Sequence, residues 1–496
     1  MIEEKMLTTV QTLIKELNTH GVSYCHWKSN LGLADALAGR TDIDLLVRRN
    51  DATQFRTILS QLDFRPTLMK DSEPFPAVEH YFALDETSGI LVHVHAYFRV
   101  ITGESLAKNY RLPIEEMLLQ NTYKVEGLPV PLKSAELVVF TIRMMMKHTS
   151  VVELALLARD WKQVQKESQW LMASGSLDET LSLVQCWLPW LDVELFAACI
   201  TALQRPTSLA RRILLGQRLR AKLRLYARHS AVGAWLEGIT KFTGMFWRRV
   251  SHAPKGMIPG SGGAVIAFVG PEATGKTTLI AETNRWLGEH FAVERIHAGK
   301  PKPTIWSVVP NLLLPALRSL LPTYRSGHVE TQFAPAQNPE KKRQGYPLIF
   351  ALRSALLAHD RRALLTRAFG RAANGMIILS DRYPSLRSGA PDSPQLAHLP
   401  IPADRFALRR RLCCLESRFY REIPPPDLVI LLSVPVEVAL VRNATRGKTE
   451  PEEYVRFRHA HSSNVEFGKT PVYKINTDQP LEKTVLEVKK AIWNHL

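Results

Sequence analysis

The sequence predicts a multidomain α/β protein: an N-terminal α+β domain, an all-α connector, and a C-terminal α/β domain on a mostly parallel sheet. Three observations lead there. First, 496 residues accommodate about three domains at about 150 residues each, every one long enough to bury a core. Second, the texture changes twice, from short β-like runs mixed with helical pieces, to helical periodicity alone, and back to strands alternating with helices. Third, a glycine-punctuated turn joins a continuous apolar run to an amphipathic helix after a Pro/Gly/Ser-rich stretch. The domains are accordingly placed at residues 1–135, 136–257 and 258–496.

In the first of these, Leu7–Leu17 has helical spacing, while Ile43–Val47 and Ile90–Val94 read as strands. From Ser134 to about Arg249 the apolar positions recur at helical spacing, as in AELVVFTIRMMM and VVELALLARDWKQV, with no strong strand signal. The end of this zone is basic: residues 205–255 hold twelve Lys and Arg against one acid, Glu237, which is +11 of the chain's formal +17. Trp235, Phe242, Phe246 and Trp247 are interleaved with that charge. Three readings stay open for the segment: a solvated or domain-facing helix surface, contact with an anionic membrane surface, and nucleic acid, the least supported. PGSGG at 259–263 then reads as a linker, with a new domain beginning at Ala264.

Composition excludes several classes. Hydrophobic residues make up 45% and charged residues 22%, which is ordinary for a globular protein. No uninterrupted apolar run reaches the roughly 18 residues of a membrane span. The N-terminal stretch carries early acids and amphipathic spacing, unlike a signal peptide. The cysteines, Cys25, Cys186, Cys199, Cys413 and Cys414, are odd in number and lack CxxC spacing, against a disulfide framework and for a reducing cytoplasm. The expected location is therefore cytoplasmic, with peripheral contact at the inner face of the membrane as the reading tied to the basic segment.

The sharpest signal is AVIAFVGPEATGKTTLIAETNRWL, from Ala264 to Leu287. It is GxxxxGK[ST] in the strand–loop–helix setting the motif requires. Gly270 and Gly275 permit the backbone angles that turn consecutive N–H groups toward a phosphate, and the helix N-terminus adds partial positive charge. Thr274, Gly275, Thr277 and Thr278 complete the cradle, Lys276 is expected to reach the β and γ phosphates, and the Thr277 hydroxyl to ligate Mg²⁺. Met376–Tyr383 reads as a buried strand ending in Asp381-Arg382-Tyr383, where an acid can hold the Mg²⁺ shell and an arginine a second phosphate. Pro426–Leu432 is another buried strand, and Arg442 and Arg446, four residues apart, share a helical face able to close over a transferring phosphoryl group. Val472–Ile475 and Pro480–Trp493 read as a last strand and helix.

Residues 264–496 resemble the thymidylate kinase family of P-loop nucleoside monophosphate kinases. The resemblance rests on the strand–loop–lysine unit, Ser-Asp-Arg-Tyr at 380–383, the Pro-Asp strand with Pro-x-Glu-Val-Ala-Leu at 435–440, the arginine helix and the final strand–helix pair. It implies ATP and Mg²⁺ held by Lys276 and Thr277, an acceptor phosphate near Arg382, and lid arginines at 442 and 446. Two features depart from the family: Val269 stands where an acid usually precedes the first glycine, and 298–344 is long and proline-rich where a compact nucleotide kinase would place its acceptor. Those departures resemble the divergent thymidylate kinase-like proteins that occur with bacterial surface-polysaccharide biosynthesis. The implied acceptor is then a nucleotide or a sugar or lipid-linked glycan.

A second pattern lies at residues 24–47. Lys28-Ser29 precedes Asp42-Ile43-Asp44 in an apolar strand, so alternation sends both carboxylates to one side. Paired acids of this kind hold divalent metals against a triphosphate, and Ser29 could receive its phosphates. With Leu91-Val-His93-Val-His95 and Gly127-Leu-Pro-Val-Pro, the stretch is similar to the nucleotidyltransferase-like proteins of the polymerase-β superfamily. The family commonly supplies a third acid where this sequence has His93. Asp42 and Asp44 thus read as a metal-holding catalytic pair, as part of a degenerate binding or regulatory domain, or as a surface acid pair.

Overall fold

A computed structural model of the chain describes residues 6–70, 75–103, 108–147, 161–204, 207–230, 233, 236–241, 243–244, 247, 256–304, 308, 348–387, 390, 392–399, 407–445, 450–461 and 465–496. The chain divides into two compact units, Met1–Ala253 and Pro254–Leu496. Both are α/β, and no helix among the described residues is long and apolar enough to cross a membrane.

The first unit opens with α1 (Thr8–Thr19), β1 (Tyr24–His26), α2 (Leu33–Leu37), β2 (Ile43–Val47) and α3 (Ala52–Gln61). Next come β3 (Arg65–Met69), β4 (Val78–Leu84), β5 (Leu91–Tyr97), β6 (Val100–Thr102) and β7 (Tyr110–Leu112). After α4 (Glu115–Gln120), the hairpin β8 (Thr122–Val125) and β9 (Leu128–Pro131) leads into helices α5 (Lys133–Lys147), α6 (Trp161–Ser174), α7 (Leu177–Trp187), α8 (Val193–Gln204) and α9 (Leu209–Leu223). The sheet runs β1-β2-β5-β4-β3. Its β2–β5 pair is parallel, and β1–β2, β4–β5 and β3–β4 are antiparallel.

Period-two alternation sorts the side chains of this sheet. Ile43, Leu45, Val47, Val92, Val94 and Ala96 join the core under α1 and α3, with Leu13, Leu17, Phe55 and Leu59. The opposite parity puts Cys25, Trp27, Leu46 and Tyr97 into a second core with Phe140 and Met145 of α5, Phe196 and Ile200 of α8 and Leu219 of α9. That core is continuous across residue 135, because α5 buries nearly its whole apolar length against both the sheet side and its neighbouring helices. Asp44, His93 and His95 share the parity of this second face.

In the second unit the described elements are β10 (Met257–Pro259), β11 (Ala264–Val269), α10 (Lys276–Gly288), β12 (Val293–His297), α11 (Leu348–Ala373), β13 (Ile377–Asp381), α12 (Ala407–Arg421), β14 (Leu428–Ser433), α13 (Val436–Ala444), α14 (Glu452–His461), β15 (Val472–Asn476) and α15 (Leu481–Trp493). The sheet order is β12-β13-β11-β14-β15, parallel at every pair. Strands buried on both faces read as unbroken apolar runs, which is why Ala264–Val269 and Leu428–Ser433 were legible. Val265 and Ala267 pack under Leu365, Ala368 and Ala372 of α11, while α10 lies beside α15 and against β12 and β13. All the strand C-termini therefore open to one edge, where ligands of such sheets bind.

The five cysteines are unpaired, with Cys25, Cys199 and Cys413 buried. The long proline-rich segment falls almost wholly at 305–347, and of those residues only 308 is described.

Candidate functional site

The edge at the end of β11 carries the phosphate-loop motif. Gly270 has φ 155° and Gly275 φ 82°, both in the range that favours glycine. A Cβ at Gly270 would stand 2.6 Å from the Leu432 carbonyl oxygen and 3.1 Å from Thr274 Oγ1, so β14 packs the loop from outside. Thr274 is fully buried and donates to the Pro271 carbonyl at 2.9 Å. Lys276, at the head of α10, is buried and donates to the Gly270 carbonyl at 2.8 Å and to that of Pro271. Burial pushes its pKa down to about 8, with Arg382 adding to the shift against the pull of Glu272 and Asp381. Thr277 and Thr278 are exposed on the first turn.

β13 delivers Asp381 and Arg382 to the same edge, its Asp381 in register with Phe268 of β11. The Asp381 carboxylate faces His297 Nδ1 at 3.5 Å and Arg295 Nη2 at 3.7 Å. Arg382 has a left-handed backbone, φ 72°. Its amide donates to the Phe268 carbonyl at 3.0 Å. Its guanidinium spans two acids, donating to Glu272 Oε1 at 3.2 Å and Asp392 Oδ2 at 3.0 Å.

Those two acids anchor further arginines. Glu272, at the third position of the phosphate loop, accepts from Arg458 Nε of α14 at 3.1 Å. The Glu272 carbonyl lies 2.9 Å from His459 Nε2. Asp392 accepts from Arg361 of α11 at 2.7 Å, and Arg361 also donates to the Tyr420 hydroxyl and the Ala298 carbonyl. Against the upward push of burial, Arg458 and Arg382 hold the Glu272 carboxyl below its usual range, and Arg361 and Arg382 do the same for Asp392. Three guanidiniums and two carboxylates thus form one network beside the loop, with a net positive charge.

Sequence reading brought Gly270, Thr274, Gly275, Lys276, Thr277, Thr278, Asp381 and Arg382 to this edge. It missed Glu272, Arg361, Asp392 and Arg458. The only signal for Arg361 was the polar His-Asp-Arg-Arg at 359–362 inside an apolar helical run. Arg442 lies on α13, where it donates to the Thr477 carbonyl at 2.8 Å and to Thr477 Oγ1 at 3.3 Å. Arg446 is outside the described residues.

The acids of the first unit sit over histidines. Asp42 Oδ1 lies 2.7 Å from His93 Nδ1, and Asp44 Oδ1 is 3.2 Å from His95 Nδ1 and 2.7 Å from Lys28 Nζ. Lys28 also donates to the Tyr97 hydroxyl at 3.1 Å. Despite burial, Lys28 and His95 hold the Asp44 carboxyl far below its usual range. Burial pushes His95 down to about 4 and His80, stacked on it at 4.1 Å, to about 2. Ser29 is exposed, with a left-handed backbone at φ 60°. No group of three or more His, Cys, Asp or Glu able to hold a metal ion occurs among the described residues. At Asp44 the ammonium of Lys28 takes the position beside the carboxylate, so this donor set does not fit a pair of divalent metals.

The expected basic segment is partly turned inward. Arg212 lies over Trp161, Arg220 donates to the Met146 carbonyl, and Arg228 and Lys241 lie over Phe75. Arg211, Arg218, Lys222 and Arg224 are exposed. Arg205, Arg248, Arg249, Lys255, Trp235, Phe242 and Phe246 are outside the described residues.

No protein-family model matches the chain. Two proteins described as uncharacterized ATP-binding protein YghR, from Escherichia coli strains K12 and O6:H1, are each 24% identical over 241 residues. That span is 47% of this chain and 87% of each relative. A probable thymidylate kinase of Archaeoglobus fulgidus is 34% identical over 88 residues, 16% of this chain and 45% of that protein. Among solved structures, deoxyadenosine kinase from M. mycoides with bound dATP aligns with 15% identity and a TM-score of 0.28, covering 46% of this chain and 98% of that one. The sequence similarities support a P-loop kinase-like region.

Proposed function

We propose that the second unit is an ATP- and Mg²⁺-dependent phosphotransferase of the nucleoside monophosphate kinase-like class, with a nucleotide or a surface-polysaccharide sugar or glycolipid as acceptor. The observation that carries this reading is the loop 270–275 between β11 and α10, with Lys276 at its end and the Arg382–Glu272–Arg458 bridge along its rim. The similarities to an ATP-binding protein and a probable thymidylate kinase agree with it.

ATP would supply the transferred phosphoryl group, and Mg²⁺ would neutralise charge on its phosphates. A threonine hydroxyl and a carboxylate are the hard oxygen donors this ion takes, and Thr277 and Asp381 present them at adjoining strand and helix ends. The loop amides and Lys276 bind and orient the triphosphate tail. Arg382 and Arg458 set positive charge where an acceptor phosphate or the transferring group would sit, which is most of what this reaction asks of a protein. Arg442 supports the β15 end of the site through Thr477, and Arg446 is the second arginine assigned to neutralise the transferring phosphoryl group. The free cysteines suit a reducing cytoplasm.

The test is incubation of the full chain with α-labelled or γ-labelled ATP and a panel of nucleoside monophosphates, sugars and glycolipids. Transfer of the γ label alone, reduced at least a hundredfold in Lys276→Ala, is expected. Transfer of the α label, or undiminished turnover in that variant, overturns the assignment.

A further inference from the structure

We propose that the first unit carries a metal-independent binding site for an oligophosphate group, built on Lys28, Lys108 and Arg143. Two aromatic rings gather the cations. Phe75 has Lys108 Nζ at 4.8 Å, Lys241 Nζ at 4.7 Å and Arg228 Cζ at 5.8 Å from its centroid. Trp27 has Lys28 Nζ and Arg143 Cζ each at 5.3 Å, and it meets Tyr97 edge-on at 4.9 Å. Ring faces hold such cations in place and keep them partly dehydrated.

Among the described residues most acids around these cations are engaged, while Glu136, paired with Lys133, and the half-buried Glu167 lie in the field of Arg143. Asp44 pairs with Lys28 and His95, Asp42 with His93, and Glu237 with Lys241. Among the described residues neither Lys108 nor Arg143 has an ion-pair partner, and both are only partly accessible. Burial, then the charges of Lys28, Arg143 and Lys241, push Lys108 down to about 8 despite the pull of Asp44. Crowding like charges out of water costs stability, and a ligand with several negative charges recovers that cost. Lys108, at the Phe75 ring, feels the charges of Lys28 and Arg143 at the Trp27 ring, and cations gathered on two separate rings fit linked phosphates.

This arrangement differs from the metal-holding role that the acid pair suggests. The cation beside Asp44 is the chain's own Lys28, and much of the basic segment's inward-facing charge belongs to the same cluster. The strand parity that puts Asp44, His95 and Tyr97 on the α5 side brings Lys28 and Arg143 to one ring.

The test uses the full chain with Lys276→Ala, which silences the loop of the second unit, titrated calorimetrically with tripolyphosphate in EDTA. Binding is expected to persist and to weaken about tenfold with either Lys108→Gln or Arg143→Gln, the worth of one charge-assisted hydrogen bond. Lys108→Arg should retain it. Absence of binding in EDTA, a requirement for added Mg²⁺, or an affinity moved by neither substitution overturns the proposal. In the unsubstituted chain, tripolyphosphate should slow acetylation of Lys108 severalfold, read by mass spectrometry. Unchanged labelling overturns the proposal independently of how the variants fold. Titration with ATP separates the ligand sources: tighter binding than tripolyphosphate identifies a nucleoside triphosphate, and equal binding identifies the bare phosphate chain.

Discussion

Glu272 and Arg458 are 186 positions apart in sequence, yet Oε2 of the first accepts from Nε of the second at 3.1 Å, with both side chains buried. The pair ties the phosphate loop to α14. Truncating one partner of a buried ion pair leaves an uncompensated charge, at about 3–5 kcal/mol. Glu272→Ala should therefore lower the stability of the full chain's second transition in urea by about that amount, and Glu272→Gln by about 1–3 kcal/mol. A change under about 0.5 kcal/mol in the alanine variant would show that the bridge contributes nothing.

Lys276 gives a pH dependence. Burial, more than any other cause, pushes its amine down to about 8, and phosphate contact favours the charged form. Nucleotide binding should then take up a proton above pH 8, so affinity falls as pH rises, approaching tenfold per unit. Calorimetry from pH 7 to 9.5 checks this, and a flat profile above 8 contradicts it.

The loop is closely backed. Gly270→Ala would drive its new methyl onto the Leu432 carbonyl at 2.6 Å and force an L-residue to φ 155°. Loss of nucleotide binding by at least tenfold is expected, with the circular dichroism spectrum retained. Wild-type affinity in this variant would mean that the loop is not the nucleotide cradle.

Acid should loosen the first unit through its histidines. His95 is held down to about 4, His80 to about 2, and His26 is also lowered, burial being the largest cause in each. A histidine kept neutral contributes stability that is fully present above its unfolded value near 6.5 and is lost as pH falls toward the folded one. For His95 that loss is about 3 kcal/mol between pH 6.5 and 4. The window lies above the range where Asp44 titrates, and the His95→Gln comparison separates this residue from Glu136 and Glu167, whose carboxyls burial raises. Urea midpoints should fall across this range, and His95→Gln should reduce the slope by about one proton.

Much of this architecture is readable along the chain because its causes are local. Ala264–Val269, Ile377–Asp381 and Leu428–Ser433 are apolar runs, and the glycines at 270 and 275 mark the turn between strand and helix. The Asp42/Asp44 pair follows from alternation, and so does the same-face placement of His93 and His95. What sequence could not supply are charge pairs made by the fold. Glu272 is a variable position inside its motif, and nothing near residue 392 or 458 announces a partner. Lys28 precedes Asp44 by sixteen positions, and the antiparallel pairing of β1 with β2 across α2 makes them neighbours. Burial was likewise hidden: the basic residues that suggested a solvated face include Arg212, Arg220 and Arg228, whose stems and heads lie on the unit's own surface.

Arg382 sits under two demands that no other residue meets together. Its φ of 72° costs an L-residue about a kilocalorie or more, which glycine or asparagine would refund by giving up the fork that spans Glu272 and Asp392. Lysine would keep the charge but lose the second hand of that grip. Evolutionary drift at this position is therefore cornered, and the tension stored at the end of β13 cannot be released by any single amino-acid exchange without unclasping the two acids.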